Sequence, residues 1–287
     1  MNLFDQLVIE AIKNQPGLST LRMVVEKELL HHDILRILSQ HHFLNELVFI
    51  GGTCLRACYS GIRLSEDLDF TGGKEFTRTS LVKMGQVLAN SVMEKYGFEV
   101  HVSEPVKEIK NTDTWKIKIE TRPQEKHMPS QRINIDICRV PSYEKKPMLL
   151  INPYQVDMGT NGLIIQAQSR EEIYADKLLA FALRPNRIKH RDLWDILWLH
   201  QHSIKPRLSL ISQKLHDRQL ATDYFFKQFD QRQKLLTDDR NLPTEFKKEM
   251  QRFLPAELVN NIISQENLWS FIIYLINDFR EQLNRIV

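Results

Sequence analysis

The chain has 287 residues, 42% of them hydrophobic and 26% charged, with a net charge of +3. These are the proportions of a soluble globular protein with enough length to bury a substantial core in two lobes. The mild positive balance permits a nucleic-acid partner without demanding one, and no apolar run approaches the ~20 residues that span a bilayer.

The first residues, Met1-Asn2-Leu3-Phe4-Asp5-Gln6, lack the basic region and apolar core of a signal peptide, so a cytoplasmic location is expected. Cys54, Cys58 and Cys138 show no metal-ligand spacing and cannot all pair, which suggests a reducing compartment without catalytic thiols. Over 18–42, apolar residues at Leu21, Val24, Val25, Leu29, Ile34, Leu35 and Leu38 have helical spacing. Glu46-Leu47-Val48-Phe49-Ile50 then reads as a short buried strand, 53–59 as a short helix and 67–70 as a second strand. A helix over 81–96 is expected to end at Gly97 as its C-cap. Residues 98–102, 114–120 and 132–138 alternate as strands. Turn residues between about 153 and 169 mark a subdomain junction, and beyond it the chain reads as helices. The first of these starts at the capping-box sequence Ser169-Arg170-Glu171-Glu172, and the second covers 190–200.

The chemistry concentrates in Phe49-Ile50-Gly51-Gly52-Thr53-Cys54-Leu55-Arg56 and Arg63-Leu64-Ser65-Glu66-Asp67-Leu68-Asp69-Phe70. Strand alternation puts Asp67 and Asp69 on one face. Two adjacent carboxylates repel unless a cation neutralises them, so the pair suggests a divalent metal site. The glycines let backbone amides approach a phosphate, and Thr53 sits where a helix N-terminus can support that anion. The bland alternative is a glycine turn beside a solvated acidic loop. In the strand 132–138, Ile133, Ile135 and Ile137 share one face, so Asn134, Asp136 and Cys138 share the other. Asp136 is therefore a candidate third metal carboxylate.

A second constellation is Glu172 to Ala180 followed by Arg184, Arg187, Lys189, His190, Arg191, Asp192 and Asp195. Lys177 interrupts an apolar stripe between Ile173 and Phe181. It is either a snorkelling lysine at the edge of a packing face or an ammonium reaching a triphosphate. Asp192 either caps or salt-bridges, or orients Lys177, or acts as a base on the acceptor; a structural role is favoured for Asp195. Lys107, Lys110, Lys116, Lys118, Arg122 and Lys126 form a basic stretch diluted by acids, within which Trp115 and His127 are possible stacking partners for bases.

Together these residues resemble the AbiEii/AbiGii toxin nucleotidyltransferases of bacterial toxin–antitoxin and abortive-infection systems. The resemblance runs through Glu26-Lys27-Glu28-Leu29 to Ile37-Leu38, through 48–70, the Asp136 strand, and 177–196. The second piece is similar to the pattern GGT-x-L-R … R-x-S-x-D-L-D-F, and the last to K-L-x-A … R-x-x-x-R-D-x-x-D. The chain departs from the family at Ile50, where many relatives carry a lysine.

The resemblance implies a nucleotide-binding turn at Gly51, Gly52 and Thr53, with Arg63, Ser65 and Lys177 at the phosphates. It implies magnesium (or manganese) on Asp67 and Asp69, and Asp67, Asp69, Lys177 and Asp192 as the catalytic set; relatives differ on the third carboxylate, so Asp136 as a further metal ligand rests on the strand pattern. The expected fold is α/β (α+β): a nucleotidyltransferase-type mixed sheet flanked by helices in 1–160, then a mainly helical lobe in 161–287 completing the active-site cleft. The expected activity is metal-dependent transfer of an NMP from an NTP to an acceptor hydroxyl at the 3′ end of tRNA or another RNA, in a toxin with a cognate antitoxin protein and no membrane partner. The alternatives are the same chemistry on a protein hydroxyl or a small molecule, or a non-catalytic homologue that only binds nucleotide or a partner.

Overall fold

A computed structural model describes residues 2–105, 111–124 and 129–285. The chain divides into two compact units, Met1–Gln168 and Ser169–Val287.

The first unit is a mixed sheet with helices. It contains α1 (Leu3–Asn14), α2 (Arg22–Gln40), β1 (Val48–Ile50), α3 (Gly51–Tyr59), β2 (Leu68–Thr71), α4 (Met84–Tyr96), β3 (Val100–Ser103), β4 (Thr112–Ile119), β5 (Gln131–Cys138), β6 (Lys145–Leu149) and β7 (Ile164–Gln168). The strand order is β3-β4-β5-β2-β1-β7-β6. β2 runs antiparallel to β1 and parallel to β5, and β1 runs parallel to β7. Ile133, Ile135 and Ile137 are fully buried, while Asn134, Asp136 and Cys138 on the opposite face are half-buried, as alternation requires. Gly97 closes α4 with φ of 70° and its N–H donates to Met93 O, the left-handed cap that glycine favours.

Four features differ from the sequence expectations. α3 begins at Gly51 rather than at 53, because Ile50 is extended and Gly51 adopts a φ of 76°, turning the chain directly into the helix. β6 and β7 are absent from the sequence expectations: β6 is mostly exposed and contains Pro147, and β7 is only five residues long, so the alternation over 165–168 is too short to stand out. α1 precedes the expected first helix, buries Phe4, Val8 and Ala11, and is capped by Asn2, whose side chain accepts from Asp5 N at 2.8 Å. Because Ala167 on β7 pairs with Phe49 on β1, the first unit extends through Gln168 rather than ending at 160.

α2 is buried almost all round, and five of its buried residues, Glu26, Glu28, His31, His32 and Asp33, are polar. Buried polar groups require partners: Glu28 and His31 bind the loop that precedes β2, as described below, while Glu26 meets Arg22, Arg122 and Gln131, His32 meets Thr160, and Asp33 meets Arg36, Lys95 and Tyr96.

The second unit contains α5 (Arg170–Leu183), α6 (His190–Gln201), α7 (Leu210–Asp217), α8 (Thr222–Asp238), α9 (Leu242–Met250), the short α10 (Ala256–Leu258) and α11 (Leu268–Leu283). Ser169 caps α5, its hydroxyl accepting from Glu172 N at 3.1 Å. The Glu172 side chain binds the buried Lys214 ammonium at 2.7 Å, which Asp176 also meets at 2.9 Å. No helix among the described residues is long and apolar enough to cross a membrane.

Candidate active site

β1, β2 and β5 place the acids. The parallel register of β2 and β5 sets Asp69 opposite Asp136, and the antiparallel register with β1 sets Asp69 opposite Ile50. Asp136 Oδ1 accepts from Thr114 Oγ1 at 2.5 Å across the β4–β5 ladder. Asp67 lies just before β2, where its Oδ1 accepts from the Asn134 backbone N at 3.2 Å and from Asn134 Nδ2 at 3.1 Å. The sequence-expected Asp69 and Asp136 are thus register neighbours, and Asp67 is tied to the same strand through Asn134.

No group of three or more His, Cys, Asp or Glu side chains poised to hold a metal occurs among the described residues. A pair of carboxylates is nevertheless the oxygen-donor set that magnesium uses together with substrate phosphates. Room for Asp69 depends on Gly51: a Cβ there would stand 2.8 Å from Asp69 Oδ2. The residues present fit a magnesium or manganese ion in donor chemistry.

Gly51, Gly52 and Thr53 form the first turn of α3, whose N-terminus no side chain caps. Amides of a first helical turn have no partner within the helix and favour an anion. The Thr53 hydroxyl itself turns inward, sharing a hydrogen bond with Ser65 Oγ at 2.6 Å and donating to Asp67 O. Ser65 and Arg63 are buried as well, and Arg63 Nη1 donates to Leu64 O at 2.8 Å. These side chains fasten the loop to α3.

α2 holds the other side of that loop. Glu28 Oε1 accepts from Ser65 N at 2.8 Å, and its Oε2 accepts from Arg56 Nε at 3.0 Å and Tyr154 Oη at 2.5 Å. Lys27 pairs with Glu66 at 3.2 Å, and His31 Nε2 donates to Glu66 O at 3.0 Å. Burial holds the His31 ring down at about 4, against the opposing pull of Glu28 and the Glu66 carbonyl. Burial likewise lowers His32 to about 4. Both rings are neutral at pH 7. Burial, then Glu28, pushes the Tyr154 phenol well up, so it acts as a fixed donor.

In the second unit, Lys177 Nζ lies 2.7 Å from Asp192 Oδ1 and 2.7 Å from Asp195 Oδ2. Arg184 Nη2 reaches Asp192 Oδ2 at 3.0 Å. Burial alone would raise the Asp192 carboxyl, but Lys177, Arg184 and Lys189 outweigh it and hold it well below the usual carboxylate range. Lys189 is pushed down to about 8, by burial first; Asp192 opposes the shift, while Arg191, Arg184 and Lys177 add to it. Lys177 is therefore no snorkelling lysine at a packing edge: two acids clamp it.

Several partners carry no signal in the sequence. Asp195, expected to be structural, does form a salt bridge, with Lys177. Asn134 had been placed on the Asp136 face, yet nothing local indicated its bond to Asp67. Glu28 and Thr114 carried no signal beyond a polar residue in an apolar setting. Trp115 is 2% exposed and sits in the core, so it is unavailable to stack on a base. Arg122 turns inward to Glu26 at 3.0 Å, and Lys118 pairs with Glu120 at 2.8 Å. Lys107, Lys110, Lys126 and His127 lie outside the described residues.

The chain resembles known proteins at both levels. Its fold is similar to that of MenT4, a nucleotidyltransferase toxin of Mycobacterium tuberculosis H37Rv, with a TM-score of 0.61 over 97% of this chain and 92% of that one, at 16% identity. JHP933 from Helicobacter pylori matches over 91% of this chain and 94% of its own at 19% identity, with a TM-score of 0.48. Among curated proteins the sequence finds no match. The family model described as "Nucleotidyl transferase AbiEii toxin, Type IV TA system" matches residues 33–281, which is most of the chain. The chain belongs to the AbiEii family of nucleotidyltransferase toxins of type IV toxin–antitoxin systems.

Proposed function

We propose that the protein transfers a nucleoside monophosphate from an NTP to the 3′ hydroxyl of an RNA acceptor, tRNA being the expected one, and that an antitoxin protein opposes it. The observation that carries this reading is the β2–β5 register, which sets Asp69 beside Asp136 at the uncapped N-terminus of α3. Asp67 and Asp69 would hold the divalent ion, with Asp136 beside Asp69 on the neighbouring strand. Such an ion, when bound, supplies charge stabilisation to the attacking and leaving oxygens.

The remaining roles belong to the chain's own groups. Amides of Gly51, Gly52 and Thr53 would receive phosphate oxygens, with no side chain on either glycine to keep them apart. Asn134 and Thr114 orient Asp67 and Asp136 by hydrogen bonds, and Glu28 fixes the loop from which Asp67 projects. Lys177 would meet the phosphates as a compact point charge, held in place by Asp192 and Asp195. The acceptor oxygen forms the new bond to the α-phosphorus while its proton passes to solvent, the bond to the bridging oxygen breaks, and pyrophosphate leaves.

The test is incubation with each radiolabelled NTP plus magnesium, with total RNA or with protein alone. Label appearing in RNA, and absent with Asp69→Asn, is the expected outcome. Label only in protein would replace the RNA acceptor, and no label with any NTP would overturn the reading.

A further inference from the structure

The second unit contains a cavity of about 500 Å³ that none of the roles above uses. Its volume is in the range of ligand pockets. Four cationic side chains converge on it from separate segments: Arg187 ahead of α6, Arg232 on α8, Lys248 on α9 and Arg252 just beyond α9. Three acids line it too, but two of them face cationic or ring groups: Glu249 meets Arg191 Nε at 3.3 Å, and Glu245 approaches His190 Nε2 at 3.6 Å. The third, Asp239, accepts from Asn241 N at 2.9 Å. Arg187, Lys248 and Arg252 form no ion pair with an acid among the described residues, and the Arg232 guanidinium donates to a carbonyl, Arg184 O, at 2.8 Å. His190 lines the same cavity, is 6% exposed, and leaves Nδ1 buried without a hydrogen-bond partner.

Four cations outnumber three acids in this wall, and three of the four have no acid partner among the described residues, so the cavity keeps positive charge that suits an anion. Guanidinium groups match phosphate oxygens in fork geometry, and several flexible cations in one hollow suit a phosphate ester better than a single small carboxylate.

The geometry points to a second ligand site here, one that takes a phosphate ester. The spread of cations over Arg187, Arg232, Lys248 and Arg252 favours successive phosphates of a nucleic-acid strand; a free nucleotide supplies the same chemistry. The site stands independently of the transfer reaction, because it is a matter of binding alone.

Titration of the full-length protein with a fluorescent single-stranded RNA 12-mer, with ATP and with inorganic phosphate tests it. The variants are Lys248→Glu/Arg252→Glu and the milder Lys248→Gln/Arg252→Gln, with Lys13→Gln/Lys227→Gln as a control at exposed lysines outside the cavity. RNA affinity is expected to fall about tenfold or more in the cavity variants and to stay unchanged in the control. The log–log salt dependence should flatten by roughly 1.4 for the two lost phosphate contacts. Loss of transfer in Asp69→Asn bears on the catalytic reading alone, because this titration reads binding through the cavity variants and needs no turnover. If ATP and phosphate weaken in parallel while RNA does not, the site holds with a free nucleotide as its source. Equal RNA affinity in wild type and both cavity variants with ATP and phosphate unchanged, or equal loss in the control, would overturn it.

Discussion

Gly51 and Asp69 share one space: a Cβ on Gly51 would lie 2.8 Å from Asp69 Oδ2, and Gly51 holds a φ of 76°. The glycine is fixed by two demands at once, a left-handed turn into α3 and room for a carboxylate. Gly51→Ala should therefore act on function more than on folding. The carboxylate is the flexible partner and would move, while the backbone strain costs only about 1–2 kcal/mol. NMP transfer measured with labelled NTP should fall by about 10²-fold, with a modest loss in melting temperature. Wild-type transfer by a folded Gly51→Ala protein would show that Asp69 need not stand where it does.

Asn134→Ala removes the Nδ2 bond to Asp67 and leaves the backbone N–H bond intact. Asp67 should loosen without leaving. The expected loss in transfer is about tenfold, well short of the complete loss expected for Asp69→Asn, and it should fall on kcat rather than on KM for the NTP.

Glu28 ties α2 to Ser65, Arg56 and Tyr154. Removing one partner of a buried, hydrogen-bonded charge costs about 3–5 kcal/mol, so Glu28→Ala should lower the urea midpoint sharply. Tyr154→Phe removes a single bond and should cost about 1 kcal/mol. Equal stabilities for the two variants would contradict the clamp.

Lys177→Met leaves Asp192 with Arg184 and Lys189 and leaves Asp195 without this cation. Because the Asp192 carboxyl is depressed in the folded state, its contribution is present above the unfolded value of ~3.9 and is lost as pH falls toward the folded value. Without Lys177 the folded value lies closer to the unfolded one, so the contribution is smaller and its loss is complete at a higher pH. Acid unfolding followed by circular dichroism checks this, and labelled transfer should vanish in the same variant.

His31 and His32 are lowered by burial to about 4 from 6.5. Between these pH values the unfolded chain takes up protons that the folded chain refuses. Stability should be full above about pH 6.5 and decline as pH falls toward 4, by up to about 3 kcal/mol for each ring. Urea unfolding across this window, compared with His31→Gln/His32→Gln, should show a flatter profile in the variant.

Sequence by itself determined whatever rests on local period and residue type. Asn134, Asp136 and Cys138 share the half-buried face of β5 because strands alternate, Gly97 stops α4 because only glycine adopts that φ readily, Ser169 starts α5, and the two spaced motifs identified the family. Tertiary structure decided the partnerships. That Asp136 meets Asp69 depends on β5 lying beside β2 in parallel, a pairing of strands far apart in the chain that no local pattern encodes. That Lys177 is clamped by both Asp192 and Asp195 depends on how α5 meets α6. The buried charge of Glu28 became intelligible only when Ser65, Arg56 and Tyr154 came together around it, since a buried carboxylate persists only where the fold supplies donors, and these come from distant segments.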